Sequence, residues 1–206
     1  MMTPTEFQQR GYTLLREVLD PHACAVYAAY ALNQRFNHHY ESTCESTGAR
    51  VYQGRYNRYA DPLGESLLVN LQARVERVTG LTLLPTYSFL RIYETGAELR
   101  KHTDRPACEI SASLTLGYEG AEPWPLWLEH NDEPIAVTLA PGDALLYRGR
   151  ELAHWREPFA GRYCIQLFLH YVDAHGPCAI HKYDGRPMIG LGRQTRQMRN
   201  AGKVVE

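Results

Sequence analysis

What the chain lacks narrows its class before any motif is read. No run of its 206 residues approaches the ~18 apolar residues that a membrane-spanning helix needs. The opening, MMTPTEFQQRGYTLL, has neither the basic start nor the apolar h-region of a secretory signal. Net charge is nearly absent too: a formal value of -1 removes any global electrostatic case for binding nucleic acid or a membrane surface. Cysteines are few, odd in number (Cys24, Cys44, Cys108, Cys164 and Cys178) and free of any CxxC pair. They read as reduced thiols of a cytoplasmic protein, not as a disulfide frame or a zinc site. No internal repeat or low-complexity segment breaks the sequence.

What is present is an ordinary globular balance, 44% hydrophobic against 22% charged, in a length suited to one domain with a real core. Helices come first. Asp20-Pro21 and Asp61-Pro62 each supply an N-cap followed by proline at the first helical position. Ala23, Val26, Tyr27, Tyr30 and Ala31 then recur at helical spacing, as do Leu63, Leu67, Leu68, Leu71, Val75 and Val78 before the terminating Gly80. The stretch between the two, about 37–60, has no sustained period and reads as a long loop.

From residue 82 the period becomes two. Tyr87, Phe89, Arg91 and Tyr93 fall on one face of their segment, and Ile110, Ala112, Leu114 and Leu116 alternate with Ser111, Ser113 and Thr115. PLWLEH, PIAVTL, ALLYRG and RYCIQLFLHYV are further strands, with a Pro141-Gly142 turn between the second and third. Many short strands with frequent turns, behind two helices, predict an α+β domain spanning 1–206, its core an antiparallel sandwich or barrel over about 82–173. The last strand carries Tyr163, Ile165, Leu167, Leu169 and Tyr171 on one face and Arg162, Cys164, Gln166, Phe168 and His170 on the other. That division suits a barrel whose interior holds a polar ligand.

The chemistry concentrates in LRKHTDRPACEIS. His102 and Asp104, two residues apart, lie on the same side of a strand or its end. His154, on a later strand, supplies a third ligand. Two histidines and a carboxylate can hold one face of an octahedral ion and leave three positions open, which suits Fe(II), although Mn, Co, Ni or Zn would fit the same donors. Arg162, at the start of the last strand, could fork onto a buried carboxylate. Arg91 is a rival anchor, or else a strand residue facing solvent.

The span from Tyr93 to Tyr171 (HxD, a PGD hairpin, a distal histidine, then arginine and a tyrosine-rich strand) resembles the Fe(II)/2-oxoglutarate-dependent oxygenases, in particular their prolyl-4-hydroxylase-like branch. The resemblance implies a double-stranded β-helix, a jelly-roll of cupin-like form, with the N-terminal helices packed on one sheet. It implies Fe(II) on His102, Asp104 and His154, with 2-oxoglutarate and O2 as co-substrates. It further implies Arg162 as partner of the far carboxylate of 2-oxoglutarate and Tyr93 as a hydroxyl donor to it. Halogenating relatives lack the carboxylate ligand, so Asp104 favours hydroxylation or another C–H oxidation.

Substrate residues are expected among Arg91, Arg105, Trp155, Gln166 and Phe168. Arginines of the 37–60 loop (Arg50, Arg55, Arg58) and of the tail (Arg186, Arg193, Arg196, Arg199) could form a basic rim. That rim favours a small acidic or amino-acid-like substrate, with a peptide hydroxylase and a non-catalytic acid-binding β-helix as the alternatives. No nucleic-acid or membrane partner is expected.

Overall fold

The computed structural model describes residues 6–35 and 56–191. A short helix α1 (Glu6–Arg10) and strand β1 (Tyr12–Leu15) lead into α2 (Pro21–Gln34); β2 (Tyr56–Tyr59) precedes α3 (Pro62–Thr79). The strands then follow: β3 (Leu83–Glu94), β4 (Leu99–His102), β5 (Ile110–Glu119), β6 (Leu126–His130), β7 (Glu133–Val137), β8 (Ala144–Arg148), β9 (His154–Arg156) and β10 (Tyr163–Asp173). They form two antiparallel sheets, one ordered β1-β8-β5-β10-β3-β2 and the other β4-β9-β6-β7.

Both helices start where the aspartate-proline pairs place them. Asp20 accepts from the Ala23 amide, and Asp61 from the amides of Leu63 and Gly64. Gly80 ends α3 in the left-handed region at φ 72°, where a side chain would be strained. The buried faces are Cys24, Tyr27 and Ala31 on α2 and Leu68, Leu71 and Val75 on α3. Val26 and Leu63, expected on those faces, are exposed, because each lies well around the helix from that stripe.

The helices cover the outer face of the large sheet. There Ile110, Ala112, Leu114, Leu116, Ile165, Leu167, Leu169, Leu90 and Ile92 meet Tyr27, Leu68, Leu71 and Val75 in one core. Period two then sends the alternate side chains of β3, β5 and β10 into the space between the sheets. Pro85 is tolerated in β3 because it lies at a bulge in the β10 pairing and beyond the reach of β2 on the other edge. Residues 56–59, expected as loop, instead form β2 at the sheet edge; four residues are too few to reveal a period. Residues 37–55 of that stretch lie outside the described residues.

Candidate metal centre

His102 ends β4 and His154 begins β9, and the two are direct partners across that antiparallel pair. Their rings stand 4.3 Å apart. His102 Nδ1 lies 2.7 Å from the Arg100 carbonyl and His154 Nδ1 3.0 Å from that of Leu152. A carbonyl only accepts, so each Nδ1 carries the proton and each Nε2 is left with a bare lone pair. Asp104 Oδ1 is 3.8 Å from His102 Nε2 and 3.7 Å from His154 Nε2. One donor atom from each residue thus lies within 4.8 Å of the other two. This is the donor set that a divalent ion uses, with each imidazole held in place by a carbonyl behind it.

The loop carrying Asp104 is fixed on its other side. The Asp104 amide donates to the Gly149 carbonyl at 2.8 Å, and Ser111 Oγ donates to Asp104 Oδ2 at 3.0 Å. A side-chain carbon at Gly149 would collide with that carboxylate, so the turn after β8 needs glycine. Burial pushes the Asp104 carboxyl up to about 6, with His102, Ser111 and Arg105 pulling it back. Burial lowers His154 to about 4 and also lowers His102, where the neighbouring His154 adds to the effect. At neutral pH the set is two neutral imidazoles and a carboxylate, ready to ligate.

Two residues beyond His154, on the same face of β9, is Arg156, which is 2% exposed. Its guanidinium lies over the Trp124 ring at 4.7 Å and donates from Nη1 to the Trp124 carbonyl at 2.6 Å. Its Nε and Nη2 are buried without any partner, and no carboxylate among the described residues pairs with it. Two arginines elsewhere in the interior are neutralised: Arg186 by Glu65 at 2.9 Å and Arg58 by Asp61 at 3.1 Å. A buried, half-bonded guanidinium is costly unless an anion completes it.

No family model matches the chain, and no curated protein matches it in sequence. Solved structures match its shape. A Pseudomonas putida prolyl-4-hydroxylase superposes with TM-score 0.66 over 82% of this chain and 95% of its own, at 18% identity. SnoN, a non-heme alpha ketoglutarate dependent epimerase of nogalamycin biosynthesis, gives 0.67 over 91% and 86%, at 19% identity. HygX from Streptomyces hygroscopicus, solved with nickel and 2-oxoglutarate bound, gives 0.59 over 82% and 85%, at 12% identity. The chain has the fold of these oxygenases. It is the double-stranded β-helix, α+β, with helices on one sheet.

Within that β-helix the expected site residues divide. Tyr93 is fully buried on the inner face of β3, edge-on to Trp124 at 4.9 Å. Arg91, on the same face, is not a solvent-facing strand residue; it is only 9% exposed. Gln166 and Phe168 lie on the neighbouring strand β10, and the Gln166 amide is already bonded to Thr115, Ser113 and Cys164. Arg105 forks onto Asp184 at 2.7 and 2.9 Å, over the Tyr87 ring. Asp184 also accepts from the Tyr59 hydroxyl, so Arg105 ties the metal loop to the segment after β10.

Three expectations are corrected. The Arg162 side chain is 72% exposed and paired with the exposed Glu119, because it precedes β10 instead of sharing its inner face. Trp155 alternates with His154 and therefore points outward, stacked on Trp127 and covered by Lys101. The basic rim loses its described members, since Arg58 is bound to Asp61 and Arg186 to Glu65. Arg50, Arg55, Arg193, Arg196 and Arg199 lie outside the described residues.

Sequence reading passed over Arg156 and Tyr147. The signal for Arg156 was in HWR itself: a charge two residues from a ligand shares its face. Tyr147, on β8, packs edge-on against the His154 ring at 4.9 Å, and burial holds its hydroxyl in the protonated, donating form.

Proposed function

We propose that the chain is an Fe(II)- and 2-oxoglutarate-dependent oxygenase that oxidises a C–H bond of a small acidic or amino-acid-like molecule. The observation that carries this reading is the pair on β9. His154 turns a bare Nε2 toward Asp104 and His102, and Arg156 holds two unpaired nitrogens on the same face. Two residues along a strand span roughly 6–7 Å. That matches a short diacid ligating a metal at one end and pairing with a guanidinium at the other. The structures of HygX with nickel and 2-oxoglutarate and of SnoN with Fe3+ and alpha ketoglutarate support the same ligands on this shared fold.

Once bound, the ion and 2-oxoglutarate supply the O2-dependent oxidation, with release of succinate and CO2. The chain's own part is ligation, orientation and exclusion of water. His102, Asp104 and His154 would occupy one face of the ion and leave the others for co-substrates. Arg156 Nε and Nη2 would give the far carboxylate two parallel charge-assisted bonds, on a floor of Trp124 that keeps water away. Tyr93 and Tyr147 are the nearby hydroxyl donors. A wall that buries Arg91, Tyr93 and Gln166 suits a small molecule better than an extended peptide.

The test is 2-oxoglutarate binding to the Ni(II)-loaded protein by calorimetry, alongside succinate formation by the Fe(II) form. Removing one side of a buried charge pair costs on the order of 2–5 kcal/mol, or about 30-fold and upward in Kd. Arg156→Gln should weaken 2-oxoglutarate by at least that factor while metal binding stays near the parent value. Arg162→Ala should change neither by more than about twofold. The reverse pattern would return the anchor to Arg162 and sink the reading built on β9.

A further inference from the structure

Arg156 is not the only interior arginine without an acid. Arg91 lies on the inner face of β3, directly across from Gln166 of β10 and Asn57 of β2. Its Nε donates to Asn57 Oδ1 at 2.5 Å, and Asn57 is neutral. Its guanidinium stands 5.3 Å from the ring centres of both Phe89 and Tyr93. Among the described residues no carboxylate pairs with it, and Nη1 and Nη2 make no hydrogen bond. The side chain is thus gripped along its plane and at Nε, with its forked end left open. Protein evolution toward stability alone would place an acid there or remove the charge.

We infer that Arg91 is the seat of a carboxylate carried by the prime substrate. The inference rests on the oxygenase reading above and deepens it. Charge balance separates the two arginines. A divalent ion, the Asp104 carboxylate and dianionic 2-oxoglutarate together leave one negative charge, which Arg156 cancels. Arg91 then remains as a single uncompensated cation inside the barrel. One further monoanion completes the interior. The chemistry of the open end selects its shape: with Nε occupied by Asn57, Nη1 and Nη2 present two parallel donors in one plane, the match for a planar carboxylate. Phe89 and Phe168, on adjacent strands, would give the rest of such a molecule an apolar wall.

Acetate serves as the probe, because it carries the recognised group and little else. Protein loaded with Ni(II) and saturated with 2-oxoglutarate is titrated with acetate at constant ionic strength, with acetamide as the neutral control. At several-fold above its Kd, acetate should raise the unfolding midpoint by about 2–4 °C, and acetamide should not. Arg91→Gln should lose that shift while binding 2-oxoglutarate within about threefold of the parent. Arg91→Lys keeps the charge without the fork and should bind acetate at least threefold more weakly. The idea fails if acetate gives no shift, or gives an equal shift in the Gln or Lys variant. It fails equally if methyl phosphate outdoes acetate, or if Arg91→Gln weakens 2-oxoglutarate as much as Arg156→Gln does. Failure of the Ni(II)-loaded parent to bind 2-oxoglutarate at all would instead overturn the underlying function, so the two failures are distinct.

Discussion

Ser111 has one proton and three neighbours within reach, the Cys108 carbonyl being the farthest at 3.3 Å. Its Oγ lies 3.0 Å from Asp104 Oδ2 and 2.9 Å from His170 Nδ1. A ligating carboxylate can only accept, so the hydroxyl donates to Asp104 and His170 must donate Nδ1–H to the hydroxyl. The result is a chain of bonds, His170 to Ser111 to Asp104, that aims the carboxylate while leaving Oδ1 for the metal. Outer partners of this kind are worth about 10–100-fold in metal affinity. Ser111→Ala should therefore weaken Ni(II) or Fe(II) binding by a factor in that range, read by competition with a chelator, with the fold intact by circular dichroism. An unchanged affinity would mean that Asp104 is aimed by its backbone alone. Single residues also show where sequence reading stopped short. His102, Asp104 and His154 were legible because residue type and spacing announce metal ligands. Arg162 misled because spacing along the chain does not report that the strand starts one residue later, with that side chain outside. Arg156 was hidden by the opposite error: its meaning depends on having no partner, and only three dimensions reveal a missing partner.

At the level of elements, identical sequence signals acquire different weights. Asp20-Pro21 and Asp61-Pro62 announce a helix start equally well, and both do start one. Asp20 caps α2 at an exposed site through one bond to the Ala23 amide. Asp61 is fully buried and, besides its two amides, accepts from the hydroxyls of Tyr27 and Tyr30 at 2.7 and 2.8 Å and pairs with Arg58 at 3.1 Å. It joins α2, β2 and α3 at one point. Asp20→Ala should cost about 1 kcal/mol, the usual value of a cap. Asp61→Ala strands a cation and two hydroxyls in the interior and should cost about 3–5 kcal/mol. Urea unfolding of the two variants compares them directly; equal losses would show that the buried network adds nothing to the cap. The helices and long strands were readable because each repeats its period several times. Strand β2 was not, since its place is set by the edge of β3 that it covers.

The molecule as a whole keeps its largest apolar cluster under the helices and gathers its buried polar groups, with smaller apolar clusters, between the sheets. Helices and the outer face of the large sheet make the hydrophobic core, and the space between sheets holds histidines, arginines, serines and a carboxylate. Such an interior makes stability depend on pH. Burial lowers His154 to about 4, and burial with nearby Arg105 lowers His170 to about 3. In the unfolded chain each titrates near its ordinary value of about 6.5. Between those limits the unfolded state binds protons that the folded state refuses. Their stability contribution is therefore present above about pH 6.5 and is lost as pH falls through the folded values, at up to about 1.4 kcal/mol per unit for each histidine. Asp104 works in the other direction. Its carboxyl, raised to about 6, takes a proton in the folded state before it would in the unfolded chain, and so offsets one histidine between about pH 6 and 4. His102, lowered by burial in the same direction, adds to the loss, so the metal-free protein should lose stability from pH 6.5 to 4 with a slope of at least about one histidine. His170→Gln can keep a donor for Ser111 and removes the titration, so its slope over that window should fall by up to about 1.4 kcal/mol per pH unit relative to the parent. Urea midpoints of the metal-free parent and variant at pH 4–8 give both slopes. Parallel curves would mean that His170 accepts its proton inside the folded barrel, and the bond chain from His170 through Ser111 to Asp104 would have to be redrawn.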